Sequence, residues 1–266
     1  MPLVTFTSDF GVQTQGIGNM EAVIYAINPQ AKVIHLMHGL PSFQISPAAR
    51  TMETTSCMPQ GYHVCVVDPG VGTNRKGIII KTKRGDCLIG PDNGCLMTAP
   101  RMLGGIEQIV EIQNEAFMLL PVSPLFHGRH VFAPAAAHLS LGADVERFGR
   151  KLSVKQCVKA PYEEATEKNG AIAAQVIHIN HYGSAHLNIL HAEWDTLGSE
   201  YGNTLEIELG KQAFSAPFCK AFAEVGKGEP AILKDDYGRI TVALNQGSFA
   251  QKHSAKVGDK ITISKS

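Results

Sequence analysis

Short apolar runs alternate with segments of helical spacing over roughly the first 155 residues, and the pattern changes beyond them. Residues 3–7, 33–37, 78–82 and 109–112 read as strands. Residues 17–27, 46–57 and 131–141 read as helices; Asn28-Pro29 stops the first, and Pro47 sits near the first turn of the second. Residues 64–67, Val-Cys-Val-Val, are apolar and largely β-branched, as a buried strand of an α/β sheet requires. That run delivers Asp68 to its end, a Pro69-Gly70 turn follows, and Arg75 comes seven residues after the aspartate. Gly90-Pro91-Asp92-Asn93-Gly94 is a dense turn signal.

This alternation predicts an N-terminal α/β domain over 1–157 with a central, mostly parallel sheet. Residues 158–170 are polar and charged, as a linker would be. Beyond them, 171–179, 204–209, 231–233, 240–244 and 260–263 are short β-like runs separated by turns rich in Gly, Asp and Lys. They predict a smaller all-β domain over 171–266.

Composition narrows the partners more than the fold. Of 266 residues, 44% are apolar and 18% charged, and 24 Lys plus Arg balance 24 Asp plus Glu. With no net field, neither nucleic acid nor an anionic membrane surface is recruited, and recognition must be local. No stretch approaches a membrane span, and the chain starts directly with a strand, which predicts cytoplasmic residence. The six cysteines contain no CxxC pair and several sit in apolar runs, so reduced thiols are expected rather than disulfides or a zinc knuckle.

Asp9 and Asp68 both follow early strands, and in parallel sheets ligands bind beyond the carboxyl ends of the strands. Turn capping explains one such aspartate; two at equivalent places point to a shared crevice, where a carboxylate can hold a ribose diol or orient water. In Phe126-His127-Gly128-Arg129-His130, a histidine beside glycine at a helix start can approach a ligand closely and titrates near neutral pH. A surface loop histidine is the competing reading. His178, His181, His186 and His191 invite a metal reading, but spacings of three and five put strand neighbours on opposite faces, so no metal is expected. Gly16-Ile17-Gly18 lacks the third glycine of a dinucleotide fingerprint, and Gly70-Val71-Gly72 lacks the Gly-Lys-Ser/Thr of a phosphate loop. Neither NAD nor a nucleoside triphosphate is supported.

Taken together, several segments resemble the S-adenosylmethionine hydroxide adenosyltransferases, relatives of fluorinase and chlorinase. They are Thr7-Ser8-Asp9-Phe10-Gly11, Ala26-Ile27-Asn28-Pro29, residues 67–73 with Arg75, Pro91-Asp92-Asn93-Gly94, Phe126-His127-Gly128-Arg129 and Asn245-Gln246-Gly247-Ser248. They occur in the family's order and span nearly the whole chain. The resemblance implies hydrolysis of S-adenosyl-L-methionine, as the S or R sulfonium epimer, to adenosine and L-methionine, without cofactor, in a homotrimer with active sites at subunit interfaces. It places catalysis on Asp68, Arg75 and His127. In halogenating relatives the positions of Asp68 and His127 are tyrosines and that of Gly128 is a halide-binding serine.

The resemblance also puts Asp9 on the ribose hydroxyls and Phe43 near the sugar or the sulfonium. Residues 236–246, with Asp236, Leu244, Asn245 and Gln246, would meet adenine, and Asn180, Tyr182 and Ser184 would face methionine. Departures from the family pattern are concentrated there: Asn180-His181-Tyr182-Gly183-Ser184 replaces Asp-x-Phe-Gly-Asn, Thr14 replaces an aspartate and Glu21 a frequent lysine. Two other readings remain in view, a non-catalytic binder of adenosine or S-adenosylmethionine and a halide adenosyltransferase.

Overall fold

In the computed structural model, which describes residues 1–265, seven strands form the sheet of a first unit, Met1–Pro161. They are β1 (Leu3–Ser8), β2 (Lys32–Met37), β3 (Tyr62–Val66), β4 (Gly77–Thr82), β5 (Cys87–Pro91), β6 (Ile106–Glu111) and β7 (Lys151–Leu152), in the order β2-β1-β3-β5-β4-β6-β7. The pairings β2-β1, β1-β3 and β3-β5 are parallel; β5-β4, β4-β6 and β6-β7 are antiparallel. The parallel part is therefore half of the sheet, and it is the half that carries Asp9 and Asp68. The switch comes between β4 and β5, where a tight turn at 83–86 leaves no room for a crossover.

The run 64–67 is apolar without alternation because both faces of the sheet are covered. Val64 and Val66 join one core with Phe6, Met20, Ile24 and Phe132, beneath α1 (Gln15–Ile27) and α3 (Ala133–Ser140). Cys65 and Val67 join the opposite core with Ala48 and Met52 of α2 (Ile45–Glu53). Burial of each valine contributes roughly 1.5–3 kcal/mol.

Strand β5 escapes sequence reading because its last residues, Gly90 and Pro91, look like a turn; they pair with Ile78 and Gly77 instead. The helix expected over 131–141 starts earlier, through a wide turn at Gly128–Phe132 closed from the Ala133 N–H to the Gly128 carbonyl. Pro134 has no N–H for the His130 carbonyl, which accepts from the Leu119 N–H at 2.8 Å. Such wide turns are frequent at functional sites.

From Tyr162 onward the second unit is a β-barrel: β8 (Thr166–Lys168), β9 (Ala171–Ile179), β10 (Ala185–Leu190), β11 (Thr204–Leu209), β12 (Gln212–Cys219), β13 (Pro230–Lys234), β14 (Arg239–Leu244) and β15 (Lys260–Lys265). The order β10-β14-β13-β12-β11-β15-β9-β8 is closed by a β9–β10 pairing. Two short helices, α4 (His191–Thr196) and α5 (Phe249–His253), accompany it, and Trp194, Phe218 and Phe249 fill its core. Strands β10 and β12 carry weak sequence signals. His186 and Asn188 interrupt β10, and Pro217 sits in β12 where that strand changes partner from β11 to β13. The segment 158–170 is divided: it belongs to the first unit up to Pro161, while Tyr162 is buried and β8 pairs with β9.

All six cysteines are free thiols, four of them buried. Among the described residues no helix is long and apolar enough to cross a membrane.

Candidate active site

Strands β1 and β3 are parallel neighbours in a register that pairs Ser8 with Val66, so Asp9 and Asp68 leave adjacent strands at the same sheet edge. Both line a cavity of about 220 Å³ with Phe43, Val71, His127 and Gly128.

Asp68 and Arg75 form a two-point ion pair: Arg75 Nε donates to Asp68 Oδ1 at 3.0 Å, and Nη2 donates to Oδ2. Their side chains are only 6% and 8% exposed. The same Nη2 reaches His127 Nδ1 at 2.8 Å, and the guanidinium carbon lies 5.4 Å from the centre of the Phe132 ring. Because Nη2 can only donate, Nδ1 must accept, and the neutral imidazole carries its proton on Nε2. Arg75 itself does not line the cavity of Asp9 and Asp68; it faces a neighbouring one with Glu111, Met118 and His127. Its charge acts on the site through the two side chains that it holds.

Burial pushes the Asp68 carboxyl above its usual value, opposed in part by Arg75 and His127. Burial, and secondarily the Arg75 charge, pushes His127 below its usual value. The site at neutral pH is therefore a carboxylate of raised basicity beside a neutral imidazole.

Backbone geometry supports this arrangement at two glycines. Gly72 adopts φ +77°, and a Cβ there would lie 2.6 Å from the Pro124 carbonyl oxygen, so the loop carrying Arg75 passes close against the 121–125 segment. A Cβ on Gly128 would meet Met20 Sδ at 2.7 Å, Phe126 at 3.1 Å and Val66 at 3.2 Å.

Asp9 Oδ2 accepts the Phe43 N–H at 2.8 Å. That bond holds Phe43 at φ +66°, a left-handed conformation unusual for a phenylalanine, with its ring 70% exposed on the cavity rim. Thr14 caps α1 by accepting the Gly16 N–H at 3.2 Å, and Glu21 pairs with His35 at 3.2 Å.

In the barrel, Asn180, Tyr182, Ser184, Leu244, Asn245 and Gln246 line a second cavity, of about 680 Å³, together with Phe222 and Gly247. Asp236 does not. It is exposed in the β13–β14 turn, and the six residues of β14 put that turn about 23 Å from Asn245. Of the stretch 236–246, Leu244, Asn245 and Gln246 line this cavity. Phe222 and Leu125 were not singled out from sequence, since lone apolar residues in polar loops carry no periodicity; the neighbours Phe10 and Phe126 of named residues were the available signal.

An α/β unit with paired aspartates at one strand edge, followed by a β-barrel with its own cavity, defines a two-domain class, and the comparisons agree. Residues 4–149 match the SAM hydroxide adenosyltransferase N-terminal domain and residues 174–262 the corresponding C-terminal domain. The chain belongs to the SAM hydroxide adenosyltransferase family. It is 31% identical to the (R)-S-adenosyl-L-methionine hydrolase of Salinispora tropica, over 98% of this chain and 97% of that protein. It is 24% identical to a fluorinase of an Actinoplanes species, over 99% and 98%. The crystal structure of an uncharacterized conserved protein from Thermotoga maritima superposes with a TM-score of 0.92 at 32% identity, covering 98% of this chain and all of that one.

Proposed function

We propose that this protein is a hydrolase that converts S-adenosyl-L-methionine to adenosine and L-methionine. The observation that carries the reading is the Asp68–Arg75–His127 cluster at the wall of a cavity that also holds Asp9, in a chain of this family.

The C5′–S bond breaks with its electron pair going to sulfur, so methionine leaves as a neutral thioether and needs no acid. A water oxygen forms the new bond to C5′, and its proton passes to Asp68, whose raised basicity suits the task. His127 presents Nε2–H to the same oxygen, stabilising hydroxide character. Arg75 keeps both groups aligned and keeps His127 in that tautomer. Asp9 retains acceptor capacity for the ribose hydroxyls beyond its bond to Phe43. Attack of hydroxide on a sulfonium neutralises two charges, which a dehydrated pocket favours. No step calls for a metal or redox cofactor.

Asn180, Tyr182 and Ser184, expected at the methionine end, line one cavity with Leu244, Asn245 and Gln246, and its uncharged side chains suit a neutral heteroaromatic base such as adenine. Apolar side chains stand exposed at both cavity rims, Phe43 and Leu125 at one, Tyr182 and Phe222 at the other. They motivate a homotrimer with active sites at subunit interfaces, which sedimentation equilibrium tests directly. Free thiols throughout fit a cytoplasmic enzyme.

The decisive assay incubates pure protein with each sulfur epimer, beginning with R because the Salinispora relative is named for it. Adenosine and methionine should appear in equal amounts. No adenosine above the spontaneous background from either epimer rejects hydrolysis, and tight adenosine binding without turnover would establish a binding protein instead. Halide transfer is disfavoured by Gly128 and His127, which stand where the resemblance puts a halide-binding serine and a tyrosine in the halogenating relatives; formation of 5′-chloro-5′-deoxyadenosine in high chloride would revive it.

A further inference from the structure

The side chain of Asn180 is committed at both ends. Its Oδ1 accepts the N–H groups of Tyr182 and Ser184, each at 3.0 Å, and so shapes the loop that walls the 680 Å³ cavity. Only an oxygen can face two donors, so the amide nitrogen points the other way, to His186 Nε2 at 3.3 Å. An N–H in that direction requires an acceptor, and Nε2 therefore carries no proton. The proton of the ring sits on Nδ1, where Asp235 Oδ2 accepts at 2.9 Å and Thr241 Oγ1 lies at 2.8 Å.

Asp235 is itself anchored. Its other oxygen accepts the N–H groups of Tyr237 at 2.9 Å and Arg239 at 3.0 Å in the β13–β14 turn. A polar chain thus runs from the turn at one end of β14, through the His186 ring, to the cavity loop near its other end. His186 and Asp235 have side chains 12% and 9% exposed, which shields the chain from competing water.

We propose that His186, fixed by Asp235, is a positioning residue of the ligand site: by accepting the Asn180 amide hydrogen it holds residues 180–184 in the shape that an adenosyl ligand meets. Only the identity of the ligand rests on the function proposed above. A doubly protonated ring would set N–H against N–H. The Asn180 amide would then turn over, and Tyr182 and Ser184 would lose their common acceptor.

Nuclear magnetic resonance of histidine-labelled protein tests this without any ligand, with the His186 signals assigned by their loss in His186→Gln. At pH 8 the ring should be the Nδ1–H tautomer. The amide signals of Tyr182 and Ser184 should shift in His186→Ala, which removes the acceptor, and should return toward their wild-type positions in His186→Gln, which can supply one. Adenosine affinity, by calorimetry, should weaken about fivefold in His186→Ala, the worth of about one net hydrogen bond, and be largely restored in His186→Gln. An Nε2–H tautomer at pH 8, or loop amides that are the same in His186→Ala as in the wild type, overturns the proposal. If adenosine fails to bind at any pH, the substrate reading falls, and the tautomer and loop amides still decide the role of His186.

Discussion

Arg75 Nη2 lies 2.8 Å from His127 Nδ1 while donating to Asp68, so one nitrogen ties together two groups that are 59 residues apart in the chain. Both partners need that contact. It fixes the imidazole tautomer, and it balances a carboxylate withdrawn from solvent.

Removing the guanidinium should therefore damage chemistry more than binding. Arg75→Ala is expected to lower kcat by about 100-fold or more through lost alignment. Adenosine affinity should change less than about threefold, since Arg75 does not line the ligand cavity. Arg75→Lys should fail to restore the rate, because one ammonium cannot span both carboxylate oxygens and the imidazole. Steady-state kinetics with calorimetry checks this; an unchanged kcat in Arg75→Ala removes the residue from the mechanism.

The acid side of the rate profile should report Asp68. Its carboxyl is raised by burial, so the base is lost by protonation at a pH above the ordinary carboxylate range. His127 is lowered, so it stays neutral below the pH at which a solvent-exposed histidine gains charge. kcat/KM should thus fall as pH drops through the Asp68 transition, and Asp68→Asn should lose most activity along with that limb. A rate that stays flat down into the ordinary carboxylate range contradicts this assignment.

Gly128→Ser places a Cβ 2.7 Å from the Sδ of the fully buried Met20. Overpacking there should destabilise the fold by about 1–3 kcal/mol, and Met20→Ala should relieve part of it in the double variant. Chemical denaturation of the two single variants and the double variant measures the coupling. Additive losses would mean that Met20 is not the group being displaced.

Asp9 holds the Phe43 loop and, in the proposed reaction, would also hold the ribose. Asp9→Asn keeps an acceptor for the Phe43 N–H but loses the charge, whereas Asp9→Ala loses both. Both should weaken adenosine binding by about 1.5–3 kcal/mol, the range for a hydrogen bond to a charged group. Only Asp9→Ala should also free Phe43 from its left-handed conformation, visible as altered proteolysis or exchange near residue 43. Equal loop behaviour in the two variants would show that the aspartate does not hold Phe43.

Much of this protein follows from local pattern. The apolar run 64–67 announced a strand covered on both faces, and its two faces do enter different cores. Strands β9 and β11 coincide with their sequence ranges, because Ala171–Ile179 and Thr204–Leu209 are bounded by turn residues. Asp9 and Asp68 were legible as a pair since residues that follow neighbouring parallel strands share an edge whatever the rest of the chain does. Strands β5, β10 and β12 were not legible, for their glycine, proline, histidine and asparagine are accommodated by partners far away in sequence.

What sequence alone determined is the inventory: a strand-end carboxylate pair, an arginine within reach of one of them and a histidine at a helix start. Tertiary structure decided what each group does. Arg75 lies behind the cavity rather than in it, and Asp236 lies in the turn at the far end of β14 from Asn245. Asn180, which looked like a weakened ligand contact, became the end of a polar chain from Asp235. The reason is physical. Residue type sets which bonds a side chain can make, while the partners that claim those bonds lie 52, 75 or 49 positions away, as in Arg75–His127, Glu164–Arg239 and His186–Asp235, and only folding brings them together.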